Sequence, residues 1–223
     1  MSDTRESWRS QRLNAAAYDA AVERPRIARL FGAAMWATDT RRMFQSVASL
    51  AELPPGSSVL DIPCGGGLAF RGLRPDHGLT YVAADISPYM LGRAEARAAA
   101  DGVEGITYTE ADALNLQFDD DAFDYVVTFN GLHCLPEQAP ALAEMNRVLR
   151  PGGELIGCAV VRDIRARSNA IIRLFQRRGW FGEVTTADEL RASFATAGFT
   201  DLEFELDGAL SHFRARKPGD GVE

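Results

Sequence analysis

Ten residues constrain this chain more than any others: Ser58-Val59-Leu60-Asp61-Ile62-Pro63-Cys64-Gly65-Gly66-Gly67. A short apolar strand runs into an acid and breaks into glycines, and Leu68 to Leu73 then reads as a helix. Strand, tight turn and helix in succession gather backbone N–H groups and the positive end of a helix dipole around one spot, where an anionic group can sit. The glycines let it approach closely. Alone the pattern is weak, because three glycines also make a flexible turn and the dinucleotide fingerprint wants a third small residue where Phe70 stands.

Downstream segments repeat the arrangement. Leu79 to Asp85 reads as a second buried strand ending in a carboxylate, which can take both hydroxyls of a ribose. Ile106 to Glu110 is a short β-branched and aromatic strand followed at once by Ala111-Asp112-Ala113, an acid whose position suits an adenine edge. Phe123 to Phe129 is a fourth strand, ending in Asn130-Gly131-Leu132-His133, where a substrate would face a cofactor across the strand ends. Four strand ends then converge on one crevice.

Together these motifs resemble the class I S-adenosylmethionine-dependent methyltransferases, most of all the small-molecule branch that includes the ubiquinone and menaquinone biosynthesis enzymes. The resemblance is carried by Val59 to Gly67, Ala84-Asp85-Ile86-Ser87, Ala111-Asp112-Ala113-Leu114, Phe123 to Leu135 and Arg147 to Glu154, in order along the chain. It implies an α/β fold: a Rossmann-like, seven-stranded, mostly parallel sheet with an antiparallel closing hairpin, helices on both faces and an N-terminal helical cover. It also implies S-adenosyl-L-methionine as cofactor, with Asp61, Pro63, Cys64, Gly65, Gly67, Asp85, Ile86, Met90, Asp112, Ala113 and Asn130 around it. Asp85 would take the ribose diol, Asp112 the exocyclic amine and the Ala113 N–H a ring nitrogen. Tyr18, in a leading segment folded over the cofactor, would face the methionine moiety, with a buried structural tyrosine as the equal alternative. Pro63 departs from the family pattern: it replaces the usual first glycine, fixes φ and removes a donor.

Length and composition bound the rest. The 223 residues suit one α/β domain with helical additions and are too few for two of ordinary size. Residues 1–52 read as the N-terminal helical cover, 53–216 as the core with an insertion at 162–185, and 217–223 as a flexible tail. Apolar residues at 46% and charged residues at 25% fit a globular chain. A net charge of −7 argues against general affinity for nucleic acid, which needs a basic face. Cys64, Cys134 and Cys158 show no CxxC pairing, so neither a disulfide framework nor a metal site is expected, and a cytoplasmic setting fits. The polar start, Met1 to Glu6, leads into no uninterrupted apolar run, so no signal peptide or spanning helix is expected. The oligomeric state is left open.

Helices are expected at Thr38 to Ala51, from Ser87-Pro88 to Ala100, at Pro136 to Leu149, and from Thr186, three residues before Glu189 in capping-box spacing. Phe199 to Leu206 and Ala209 to Arg216 form a hairpin through Asp207-Gly208. Between lies a basic amphipathic segment, Arg162 to Arg178. Its plain reading is a helix with a solvated arginine face; the other is an anion- or lipid-contacting lid over 162–181. Trp8, Tyr18, Met35 and Trp36, with Ile171, Phe175, Trp180 and Phe181, exceed what a covering layer needs, so an apolar or aromatic small-molecule acceptor is expected beneath a mobile cover; the competing reading has the two segments pack on one another as a second core and the acceptor polar.

Of the three histidines, His77 is expected at the surface and His212 as an ordinary strand residue. His133 is the candidate for chemistry, with a supporting role as its alternative. Methyl displacement from a sulfonium needs mainly alignment and desolvation, and a base only where the acceptor must lose a proton. Asn-Gly-Leu-His after Phe129 differs from the Asn-Pro-Pro-aromatic pattern of DNA and glutamine amino methyltransferases, which favours a small molecule. Two rivals remain: a non-methylating S-adenosylmethionine-binding protein, and a nicotinamide-dependent oxidoreductase.

Overall fold

The computed structural model describes Leu30 and residues 32–219. Trp8, Tyr18 and most of the expected leading helices lie outside the described residues. Seven strands make one sheet: β1 Ser58–Asp61, β2 Thr80–Asp85, β3 Ile106–Glu110, β4 Phe123–Phe129, β5 Leu149–Val160, β6 Thr200–Asp207 and β7 Leu210–Arg216. Their order is β3-β2-β1-β4-β5-β7-β6. The first five run parallel, and β7 is antiparallel to both β5 and β6. The chain winds outward from β1 through β3 and returns to the other side of β1 at β4. That reversal opens a crevice at the carboxyl ends of the strands.

The middle stretches of the central strands, such as Val59-Leu60 and Val126-Val127, are apolar because both sheet faces are covered. Met43, Val47, Phe70, Tyr81, Ile156 and Phe175 belong to the core on one face, and Leu142, Met145, Leu155, Leu190 and Phe194 to the core on the other. The helices are α1 Arg41–Ala48, α2 Pro88–Asp101, α3 Gln138–Val148, α4 Ala166–Arg177 and α5 Ala187–Thr196. α2 begins with the Ser87 side chain accepting from the Met90 N–H and Pro88 in the first turn, and it closes on Gly102 at φ 69, as local capping chemistry dictates. α5 carries both halves of the Thr186–Glu189 capping box. α3 is capped from a distance, since the Gln138 N–H donates to the Glu183 carboxylate at 2.9 Å.

Several expectations are corrected. Leu68–Gly72 is a five-residue 3-10 turn rather than a full helix; Leu73 turns extended just before Arg74-Pro75, where proline disfavours helix. The Thr38 to Ala51 helix is shorter: α1 tightens into a 3-10 turn at Ser49–Glu52, while the Thr38 Oγ1 and the Asp39 N–H donate to Asp207 Oδ2 at 2.6 and 2.8 Å. His77 is buried, not superficial, because Nδ1 accepts from the Leu79 N–H and Nε2 donates to the Glu104 carbonyl, both at 2.9 Å. Lys217 is no part of a free tail: its Nζ donates to Asp121 Oδ1 at 2.6 Å and to the Leu149 carbonyl at 2.7 Å. Among the described residues no helix is long and apolar enough to cross a membrane.

The α5 capping box is exposed and independent of the crevice, so it isolates a local contribution. Thr186→Ala should cost about 1 kcal/mol and lower the melting temperature by about 2–4 °C. Calorimetry checks this, and an unchanged melting temperature would show that the box adds nothing to the folded state.

Candidate functional site

The carboxyl ends of β1, β2 and β4 surround a cleft of about 660 Å³, open mouth included. Pro63, Cys64, Gly65, Gly66 and Leu68 line it from the loop after β1, Asp85, Ile86 and Met90 from the loop and helix after β2, and Phe129, Asn130, Gly131, Cys134 and Leu135 from the end of β4. A second cavity of about 330 Å³ shares Pro63, Ile86, Cys134 and Leu135 and continues along Ala111, Asp112, Ala113 and Leu114. The first is mixed in character and the second almost wholly apolar apart from Asp112.

Asp85 is the fixed point of the cleft. Its Oδ2 accepts from the Gly65 N–H and its Oδ1 from the Ser87 N–H, each at 2.9 Å, so one carboxylate ties the loops after β1 and β2 together. Burial pushes its pKa up to about 6, against the pull of the Ser87 and Gly65 N–H bonds. A carboxylate can accept about four hydrogen bonds, so these donors leave it capacity for a ligand hydroxyl. Asp112 is preset in the same way, its Oδ1 accepting from the Leu114 N–H at 3.0 Å. Asn130 sits at φ 59, its amide donating to Met43 Sδ at 3.2 Å while Cys158 Sγ donates to its Oδ1 at 3.6 Å. Those contacts hold the β4 end against α1 and β5.

Three of the expected site residues do not line either cavity. Asp61 is 1% exposed behind the glycine loop, where the Tyr81 hydroxyl donates to its Oδ2 at 3.0 Å. Burial raises the Asp61 pKa to about 7, opposed by that hydroxyl and reinforced by the nearby Asp85 charge. Gly67, at φ 82, is required by packing: a Cβ there would lie 2.6 Å from the Phe70 ring. Phe70 is itself buried edge-on against Tyr81 at 5.8 Å. His133 is fully buried; its Nδ1 accepts from the Val160 N–H at 3.1 Å and its ring meets Phe181 at 4.5 Å. Burial pushes its pKa down to about 3, so it stays neutral and turned towards β5 instead of the crevice. Tyr18 lies outside the described residues.

The remaining expected residues, Pro63, Cys64, Gly65, Asp85, Ile86, Met90, Asp112, Ala113 and Asn130, all line one cavity or the other. Gly66, Leu68, Phe129, Gly131, Cys134 and Leu135 are added by the structure. All six fall inside or beside the motif segments, but nothing in their types singles them out. Gly131 is demanded by its neighbour, since a Cβ would lie 2.5 Å from Pro63 Cδ. A nucleoside joined to an amino-acid chain suits the chemistry of this lining: the pinned Asp85 borders the cleft, glycine backbone lines it, and the apolar cavity beside it carries Asp112 at its wall.

Beyond the cleft, Trp36 stacks on Phe181 with centroids 5.9 Å apart and meets Phe175 edge-on at 6.2 Å. The Ser168 hydroxyl donates to the Met35 carbonyl at 3.0 Å. The described part of the leading segment and the 162–181 segment thus pack on one another next to His133.

Comparison with known proteins agrees with this geometry. Residues 60–157 match the family model of a methyltransferase domain. The chain is 36% identical over 124 residues to the demethylmenaquinone methyltransferase of Clavibacter sepedonicus, covering 56% of this chain and 46% of that protein. It is 38% identical over 101 residues to the phthiotriol/phenolphthiotriol dimycocerosates methyltransferase of Mycobacterium leprae, covering 45% and 36%. The chain therefore spans less than half the length of these curated relatives. Phosphoethanolamine N-methyltransferase 2 of Haemonchus contortus, solved with S-adenosyl-L-methionine, has the same fold with a TM-score of 0.74 at 17% identity, over 98% of this chain and 60% of that one.

The Asp61 carboxyl gives the site a pH signature. Its folded pKa of about 7 lies above its ordinary value of 3.8, so the folded state binds the proton more tightly and Asp61 favours folding most at acid pH. That advantage should disappear as pH rises through about 7. Denaturant titrations of the wild type and Asp61→Asn should show the stability difference moving in favour of the variant between pH 4 and 8, by up to about 4 kcal/mol. A difference independent of pH would remove Asp61 from its buried, proton-retaining role.

Proposed function

We propose that the chain is a class I S-adenosylmethionine-dependent methyltransferase and that it transfers a methyl group from S-adenosyl-L-methionine to a small, largely apolar or aromatic acceptor of lipid or quinone type. The observation that carries this reading is the buried Asp85, pinned by two backbone N–H groups and still facing the cleft. Asp85 takes the ribose diol, Asp112 and the Ala113 N–H meet the adenine in the apolar cavity, and Gly65 and Gly66 run alongside the amino-acid end. Met90 and Ile86 supply apolar wall. When bound, the cofactor supplies an activated sulfonium methyl. The chain's own part is then to hold the reacting atoms in line and keep water away.

The surroundings of the β4 end support that acceptor class. Phe129, Leu135, Leu68 and Met90 are apolar cleft walls, and the relatives named for demethylmenaquinone and for phthiotriol dimycocerosates support a greasy acceptor. His133 contributes by position: a neutral, buried imidazole that locks the turn after β4 to Val160. Phe70 fills the place where the nicotinamide fingerprint needs a small residue, which speaks against the oxidoreductase. The three free cysteines support a cytoplasmic setting.

Calorimetry with S-adenosylhomocysteine tests the cofactor site. Asp85→Ala should weaken binding by about 2 kcal/mol, or roughly thirtyfold, given what a hydrogen bond to a charged group contributes; unchanged affinity in a folded variant would remove Asp85 from the site. A methyl-transfer screen divided between quinone- or lipid-like and polar acceptors tests the chemistry. Turnover confined to polar acceptors would overturn the substrate class, and tight binding with no turnover in any class would favour the non-methylating reading.

A further inference from the structure

The geometry of α4 points to a docking surface for an anionic lipid bilayer. This goes beyond the proposed reaction, which a freely diffusing acceptor would also satisfy. Between Ile164 and Gly182 the chain has Arg165, Arg167, Arg173, Arg177 and Arg178 and no acid, although the whole chain carries −7. The rest of the molecule therefore holds all of the negative excess. All five arginines are exposed, and among the described residues none of them makes an ion pair. Other arginines on this molecule do: Arg162 pairs with Glu189 and Arg191 with Asp188, each at 2.8 Å.

α4 buries Ser168, Ile172 and Phe175. At 100° per residue the opposite side presents Arg167, Arg173, Leu174 and Arg177. Leu174 is 43% exposed and Ile164 36%, two of the four most exposed large apolar side chains described. A merely solvated face gains nothing from crowding like charges, which repel at helical spacing, or from showing leucine among them. A bilayer answers both features at once. Guanidinium groups take lipid phosphates in bidentate fashion, while the apolar side chains enter the headgroup boundary. Single-stranded nucleic acid is the less suitable polyanion, because base stacking needs exposed aromatic faces, and here Phe175 and Phe181 are buried and Trp180 packs on Phe175 at 4.9 Å.

The segment that bears the arginines is also tied to the cleft. The Gly182 and Glu183 N–H groups, just beyond it, donate to the carbonyls of His133 and Leu135 at 3.0 and 2.9 Å, and Leu135 lines the cleft.

The full chain should co-sediment with vesicles of phosphatidylcholine containing one-third phosphatidylglycerol, bind neutral phosphatidylcholine vesicles at least tenfold more weakly, and release from the anionic ones as salt is raised. Arg173→Ala with Arg177→Ala should weaken binding more than tenfold, at roughly fivefold per arginine, while S-adenosylhomocysteine affinity stays at the wild-type value. Leu174→Ser should weaken vesicle binding with no change in its salt dependence. Retention on neutral and anionic vesicles alike, no binding to either, or displacement from anionic vesicles by a single-stranded RNA oligonucleotide that binds more tightly would overturn the proposal. Because vesicle binding is read without turnover, its failure is distinguishable from failure of the methyl-transfer reading.

Discussion

Much of this structure depends on the cost of burying carboxylates at the ends of β1 and β2. Asp61 and Asp85 are 1% and 5% exposed, and an ionised carboxylate in such surroundings is tolerable only if donors converge on it or it keeps its proton. The two acids take different routes. Asp85 recruits the N–H groups of Gly65 and Ser87, and that recruitment sets the shape of the glycine loop relative to the start of α2. Asp61 has the Tyr81 hydroxyl and remains largely a proton holder, its pKa raised to about 7. A cleft whose rim is drawn in by one acid and backed by another is preorganised before any ligand enters.

The opposite wall is held by different means. The turn after β4 is fixed by His133 accepting from the Val160 N–H, and by the backbone of residues 182 and 183 donating to residues 133 and 135. Gly182 is indispensable here, since a Cβ would lie 1.8 Å from the Leu135 carbonyl oxygen. Gln138 completes the joint, donating to the Glu183 carbonyl at 3.0 Å and accepting from the Thr185 hydroxyl at 2.8 Å. A buried amide satisfied on both sides specifies one arrangement, because any slip leaves it unpaired.

Which parts of this were legible in the sequence follows from the range of the interactions. The caps of α2 and α5 were readable because Ser87, Pro88, Thr186 and Glu189 act within four residues. Asp85 was readable because an acid ending a buried strand beside a glycine loop has few other uses. The cap of α3 was not, since Glu183 reaches Gln138 across 45 residues. His77 looked superficial in a loop of Pro75 and Gly78 because its burial depends on Glu104, on the far side of α2. Asp61 and His133 stand outside both cavities because of Tyr81 and Val160, and Gly67 because of the Phe70 ring packed against it, partners that no local pattern identifies.

The 162–185 segment is attached to the core in a way that leaves its own sequence little constrained. Its ends are tied by main-chain bonds: the Arg162 N–H donates to the Thr185 carbonyl at 2.9 Å, and residues 182 and 183 donate to the β4 turn. Backbone bonds place few demands on side chains, so these attachments survive changes in the sequence between them. α4 itself leans on the rest through the buried Ile172 and Phe175, the latter meeting Trp36 edge-on, and large apolar side chains can be exchanged there at modest cost if volume is kept. Its outer face, with no packing duty, is free to carry whatever charge the surroundings reward. The arginines sit on that unconstrained surface, whereas the acids that shape the cleft sit where burial fixes their identity.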